Sequence, residues 1–166
     1  QIAYYISKRQ RKKKDNTLIQ AVRQNEAAVQ KVNPEAAQHP RAASAEQRLL
    51  GLLMFNPDFI RPIADKLSPD CFATSLNRQL YEQLIARQQQ GAAIDPALLA
   101  GDASPDQSAY ITHLVIQARD AVNTLEEAQQ LAQVIQQESQ LNAASDLSAL
   151  SPDEMQKLLE IMRKQK

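Results

Sequence analysis

The sequence predicts an all-α protein: a multi-helix globular bundle followed by a long helix and a C-terminal helical hairpin. Three observations lead there. Glycine and phenylalanine occur only three times each and tryptophan not at all, against abundant Ala, Gln and Leu, a composition that favours helix over sheet. Large apolar residues recur at three- and four-residue spacing in separate runs, which is the period of one helix face. Five prolines follow a residue able to cap a helix, at Asn56-Pro57, Ser68-Pro69, Asp95-Pro96, Ser104-Pro105 and Ser151-Pro152. Proline at the first helical position forfeits no hydrogen bond, so these pairs mark helix starts.

In chain order, QIAYYISKRQRKKKD can form an amphipathic basic helix with Ile2, Tyr5 and Ile6 on its packing side. Residues 1–14 carry Lys8, Arg9, Arg11, Lys12, Lys13 and Lys14 without an acid. They read either as the solvated basic end of a preceding domain or as a phosphate-binding run with Tyr4 and Tyr5 as stacking platforms. A second helix can start at Asp15 or Thr17, with Leu18, Val22, Val29 and Val32 at helical spacing, and Asn33-Pro34 stops it. NPEAAQHPRAAS then has linker composition, so residues 15–43 read as a tether containing a marginal helix.

The densest apolar stretch runs from Ser44 to Arg87, within a bundle spanning 44–122. Ser44 with Gln47 has the spacing of a capping box, and Leu49, Leu50, Leu53 and Met54 then make one buried face. Pro62 falls inside Pro57 to Leu67 and is expected to bend or split that helix. Leu76, Leu80, Tyr81, Leu84 and Ile85 form the stripe of a helix beginning near Ser75, ended by Gly91. A short helix follows Asp95 and ends at Gly101; another from Ser104 is expected to bury Tyr110, Ile111, Leu114 and Val115.

Residues 123–166 form the remaining unit. Thr124 and Glu127 suggest a second capping box, opening a long helix with Leu125, Ala128, Leu131, Ala132 and Ile135 on one side. In QQESQLNAASD the apolar stripe fades while helix propensity persists, the pattern of a helix leaving its core. A joint near Asn142 to Asp146 is then expected before a last helix from Pro152, about 21 Å long at ~1.5 Å per residue. That hairpin carries Leu147, Leu150, Met155, Leu158, Leu159 and Met162 and ends in Arg163, Lys164 and Lys166. A narrow seam buries little area against the entropy of ordering it, so part of its apolar face is expected to await a partner. Methionines suit such a surface because they adapt to a partner's grooves.

The net charge of zero conceals an asymmetry: residues 15–166 hold 13 bases against 19 acids. An acidic body argues against nucleic-acid binding there, since that affinity rests on clustered Lys and Arg. The lone Cys71 excludes an internal disulfide and reads as a small apolar residue beside Phe72. No apolar run approaches the ~20 residues of a membrane span. His39 and His113 lack partners at metal-ligand spacing, and Asp58, Asp65 and Asp70 are spaced along helix faces rather than clustered. Neither a cofactor, nor a metal, nor a catalytic residue is therefore expected, and the start at Gln1 points to a piece of a longer chain.

AEQRLLGLLMFNPDF, the LSPDCF turn, LNRQLYEQL and the DPALL helix, in that order, resemble the helicase-binding domain at the C-terminus of bacterial DNA primase. The resemblance covers Ser44 to Lys166, and the N-terminal domain of the replicative helicase resembles the same bundle. It implies a bacterial, cytoplasmic docking domain of a DNA-directed RNA polymerase, in which residues 1–14 would end the polymerase core and zinc and magnesium would belong to other parts of the parent. The implied partner is the N-terminal domain of the replicative helicase, with the acidic tail of single-stranded-DNA-binding protein as a second candidate. Attachment would fall on Leu147, Leu150, Met155, Leu158, Leu159, Met162, Arg163, Lys164 and Lys166. Two alternatives stay open: the helicase's own N-terminal domain, and a nucleic-acid-binding module using the basic run.

Overall fold

Leu49, Leu50, Leu52 and Leu53 are each fully buried, which a helix achieves only when it is enclosed on nearly every side. They belong to α1 (Pro40–Phe55), and the other elements are laid around it. The computed structural model describes residues 31–101 and 103–149, together with Ser151 and Gln156, and contains six α-helices and no strand among them. α1 is followed by α2 (Ile60–Ala64), α3 (Ser75–Gln89), α4 (Pro96–Gly101), α5 (Pro105–Arg119) and α6 (Leu125–Ala149). Short 3-10 turns occupy Pro34–Ala37, Pro57–Phe59 and Pro69–Cys71. α5, α6 and α3 pack on α1, α2 packs on α3, and α4 covers α5. α6 runs antiparallel to α1, since Arg48 pairs with Glu127 and Arg41, earlier in α1, with Glu138.

The start of α1 corrects two expectations. Pro40, not Ser44, opens the helix, because proline presets the first helical φ; Ser44 is an exposed residue inside it and no Ser44–Gln47 box forms. Nor do residues 33–43 behave as a tether. Asn33 is 1% exposed and Ala42 and Ala43 are each 2% exposed, so a segment poor in large apolar residues still packs, through small side chains and polar bonds. The preceding helix does end where Asn33-Pro34 predicts, since residues 31 and 32 are helical and Asn33 is not.

Most proline-marked starts appear where expected, with differing cap chemistry. Asp95 Oδ1 accepts from the Ala97 amide at 2.8 Å, Ser68 Oγ accepts from Asp70 at 3.4 Å, and Ser104 with Gln107 forms a reciprocal capping box. Asn56 differs. Its side chain turns back to donate to Leu52 O at 3.2 Å, closing α1 rather than opening the turn after it. The helix expected over Pro57–Leu67 is indeed divided, but at Phe59–Ile60; Pro62 stands in the first turn of α2, where its missing N–H costs little. Gly91, at φ +64°, takes the left-handed conformation that terminates α3.

α3 buries Leu80, Tyr81 and Leu84 and half-buries Leu76 and Ile85, as its stripe predicts. Tyr81 stacks on Phe72 with ring centroids 4.8 Å apart and donates to Leu67 O at 3.1 Å. Cys71 lies partly buried against this cluster. α5 buries Tyr110, Ile111, Leu114 and Ala118, with Val115 half-buried.

Candidate partner-binding surface

α6 divides into two physically different parts. Ala128 and Ile135 are fully buried, Ala132 is 5% exposed, and Leu125, Leu131 and Val134 pack partly against the core. Three polar contacts reinforce that seat. Arg48 reaches Glu127 Oε1 through Nε at 2.9 Å, Gln136 donates to Lys66 O at 2.6 Å, and Arg41 pairs with Glu138 at 3.2 Å. From Ser139 to Ala149 none of the described residues is buried, and Leu141 is 58% exposed. The helix nevertheless continues unbroken to Ala149. The joint expected at Asn142 to Asp146 is therefore absent: Asn, Ala, Ser and Asp lower helix propensity by tenths of a kcal/mol each, which is too little to break an elongating helix. Eleven residues at ~1.5 Å each carry the helix about 16 Å past its last anchor.

Of the residues expected to attach a partner, Leu147 lies within the last turns of α6, its side chain outside the described residues. Leu150, Met155, Leu158, Leu159, Met162, Arg163, Lys164 and Lys166 also lie outside the described residues, as do the basic run 1–14 and the Ser151-Pro152 start beyond Ser151. Phe55, Leu98, Ile116 and Val122 are exposed apolar residues that periodicity did not single out. Phe55, Leu98 and Ile116 lie in apolar runs with Met54, Leu99 and Leu114, which are buried, so apolarity alone does not separate them from the core.

The expected capping box at the start of α6 is half present. The Glu127 amide donates to Thr124 Oγ1 at 3.1 Å, but the Glu127 carboxylate turns to Arg48 instead of returning to Thr124. Arg48 also donates to Asn123 Oδ1 at 3.0 Å and to Val122 O at 2.7 Å, while Asn123 Nδ2 caps the end of α5 at Ala118 O.

A second polar cluster lies inside the bundle. Glu46, fully buried, accepts from the Ala73 amide at 2.5 Å, Thr74 Oγ1 at 2.7 Å and Asn77 Nδ2 at 2.9 Å. Tyr110 donates to Asn77 Oδ1 at 2.7 Å, and Asn33 Nδ2 reaches Thr74 Oγ1 at 3.3 Å. The Thr74 hydroxyl, which donates to Glu46 and accepts from Asn33, does not cap α3; Glu35 takes that role by accepting from the Ser75 amide. Burial raises the Tyr110 hydroxyl above its ordinary pKa, outweighing the opposing effect of its hydrogen bonds with Asn33, Asn77 and Gln47. The Tyr81 hydroxyl is also raised, mainly by burial. A carboxylate sealed from solvent with its donors already paired cannot reach a substrate, so this cluster fastens the 33–37 turn and the start of α3 to α1. Among the described residues no group of three His, Cys, Asp or Glu could hold a metal ion, and no helix is long and apolar enough to cross a membrane.

The described residues form an all-α bundle with a buried polar cluster and a last helix that runs past its packed seat, a helical-bundle domain. The chain belongs to the DnaB-like helicase N-terminal domain family, whose model matches residues 38–144. This places it among helicase-associated, non-catalytic helical domains of DNA replication. No curated protein and no solved structure matches the chain.

Proposed function

We propose that the chain is the docking domain of a bacterial DNA primase, acting in the cytoplasm, which grips the N-terminal domains of the replicative helicase and holds primer synthesis at the unwinding fork. The observation that carries this reading is the course of α6, in which no described residue after Glu138 is buried and which leads towards the apolar and basic sequence from Leu147 to Lys166. A helix that leaves its core unsupported gains its missing contacts from a partner. The acidic body disfavours nucleic acid as that partner. The ordered run from AEQRLLGLLMFNPDF to DPALL supports primase as the parent. The family match to a helicase N-terminal domain favours a second reading, in which the chain is part of the helicase itself.

Capture by purified replicative helicase separates them. As a docking domain the chain is retained by the helicase, and Leu158→Asp with Met162→Asp lowers retention at least ~100-fold, the loss of two anchor residues at ~1.5 kcal/mol each or more. Far-UV circular dichroism of that variant is expected to stay unchanged. Retention by primase but not by helicase would establish the second reading, and undiminished binding by the variant would move the attachment site elsewhere.

A further inference from the structure

We propose that Arg48 is the positioning residue that fixes the axial register and direction of α6, and so where its unsupported end is presented. Arg48 projects from the central helix α1 and spends its whole fork on the elbow between α5 and α6: Val122 O at 2.7 Å, Asn123 Oδ1 at 3.0 Å and Glu127 Oε1 at 2.9 Å. It is shielded for this work, with a side chain only 21% exposed against 31% for Glu127. The two acceptors beside it are themselves placed by the helix ends. Asn123 closes α5 at Ala118 O, and Glu127 stands in the first turn of α6 behind the Thr124 cap.

Apolar packing alone specifies this register weakly. Next to the elbow the buried face of α6 carries Ala128 and Ala132, small side chains that allow close approach but give little relief to resist sliding, and its one large fully buried side chain, Ile135, comes only in the third turn. Directional hydrogen bonds do resist it, because a planar guanidinium satisfies three acceptors in only one arrangement. Further along, Gln136 makes a single bond to Lys66 O at 2.6 Å, and Arg41, 68% exposed, pairs with Glu138 in a contact screened by salt, so neither matches the three-point hold at the elbow. Displacement at the elbow is carried along the rigid helix to Ala149. The consequence for partner capture rests on the docking reading above; the geometry does not, so the two can fail separately.

Spin labels at Gln89→Cys on α3 and Ser145→Cys on α6, both exposed positions, in a Cys71→Ala background, report the distance between bundle and projecting helix by pulsed dipolar spectroscopy. With Arg48 intact the distribution is expected to be single and narrow. Arg48→Ala shifts its centre by about 5 Å, the rise of one helical turn, or splits it. Arg48→Lys keeps the charge without the fork and is expected to behave like Arg48→Ala. Leu131→Ala, which removes an apolar contact from the same face, lowers the melting temperature but leaves the distance unchanged. Should Arg48→Ala fail to melt cooperatively, Asn123→Ala, which removes one acceptor, is read in its place with the same expected shift. A distribution superimposable on that of the parent, restoration by Arg48→Lys, or an equal shift in Leu131→Ala would each overturn the proposal.

Discussion

Glu46 shows how much a single buried side chain can hold. It draws donors from the loop and helix 27, 28 and 31 residues further along, and nothing in AEQRLL distinguishes it from the surface glutamates of other helices. Its burial was therefore illegible in the sequence: a carboxylate is enclosed only where the fold converges donors on it. Removing it strands those donors at ~1–3 kcal/mol each, so Glu46→Ala is expected to destabilise the bundle by about 3 kcal/mol or more. Glu46→Gln keeps one acceptor and the shape and should lose less. Urea midpoints of the three proteins check the order. Tyr81, by contrast, was legible as a core residue from its stripe, although its bond to Leu67 O was not.

At the scale of the element, Gly51 lies where α1 and α5 come closest. A Cβ there would lie 2.5 Å from Leu114 O and 3.2 Å from the Ala118 Cβ. The first is a backbone atom, which cannot turn aside as a flexible side chain would. Gly51→Ala is expected to push α5 away and cost ~1–3 kcal/mol despite alanine's better helix propensity, read as a lower melting temperature with shifted α5 amide resonances. Helix starts at Ser68, Asp95 and Ser104 were readable because a cap and the proline after it act within one turn. The start of α1 was misread because Ser44 and Gln47 satisfy the capping pattern while Pro40 opens the helix earlier. Continuity of α6 through Asn142–Asp146 was misread for a related reason, since polarity is not a helix break without Gly or Pro.

For the whole molecule, burial of Tyr81 and Tyr110 makes stability depend on alkaline pH. Both hydroxyls have folded pKa values above the ordinary 10.0, so the native state keeps its protons where the unfolded chain has begun to lose them. The stabilisation is fully present below pH 10.0 and is lost as pH rises through the window between that value and the raised ones. Urea midpoints are expected to be level across this contribution below that pH and to fall above it, with Tyr81→Phe showing a shallower fall. An ultraviolet titration should show these two tyrosines ionising late. What the sequence determined alone was the all-α class, most helix starts and the apolar faces of α3, α5 and the first half of α6, because caps, prolines and periodicity act over at most four residues. Only the tertiary structure decided that α1 is enclosed on nearly every side, that residues 33–43 belong to the packed body, and that Arg48 joins α1 to the elbow. Those contacts span as many as 79 residues of chain, and which distant partners meet depends on how the helices stack, a quantity that no local pattern encodes.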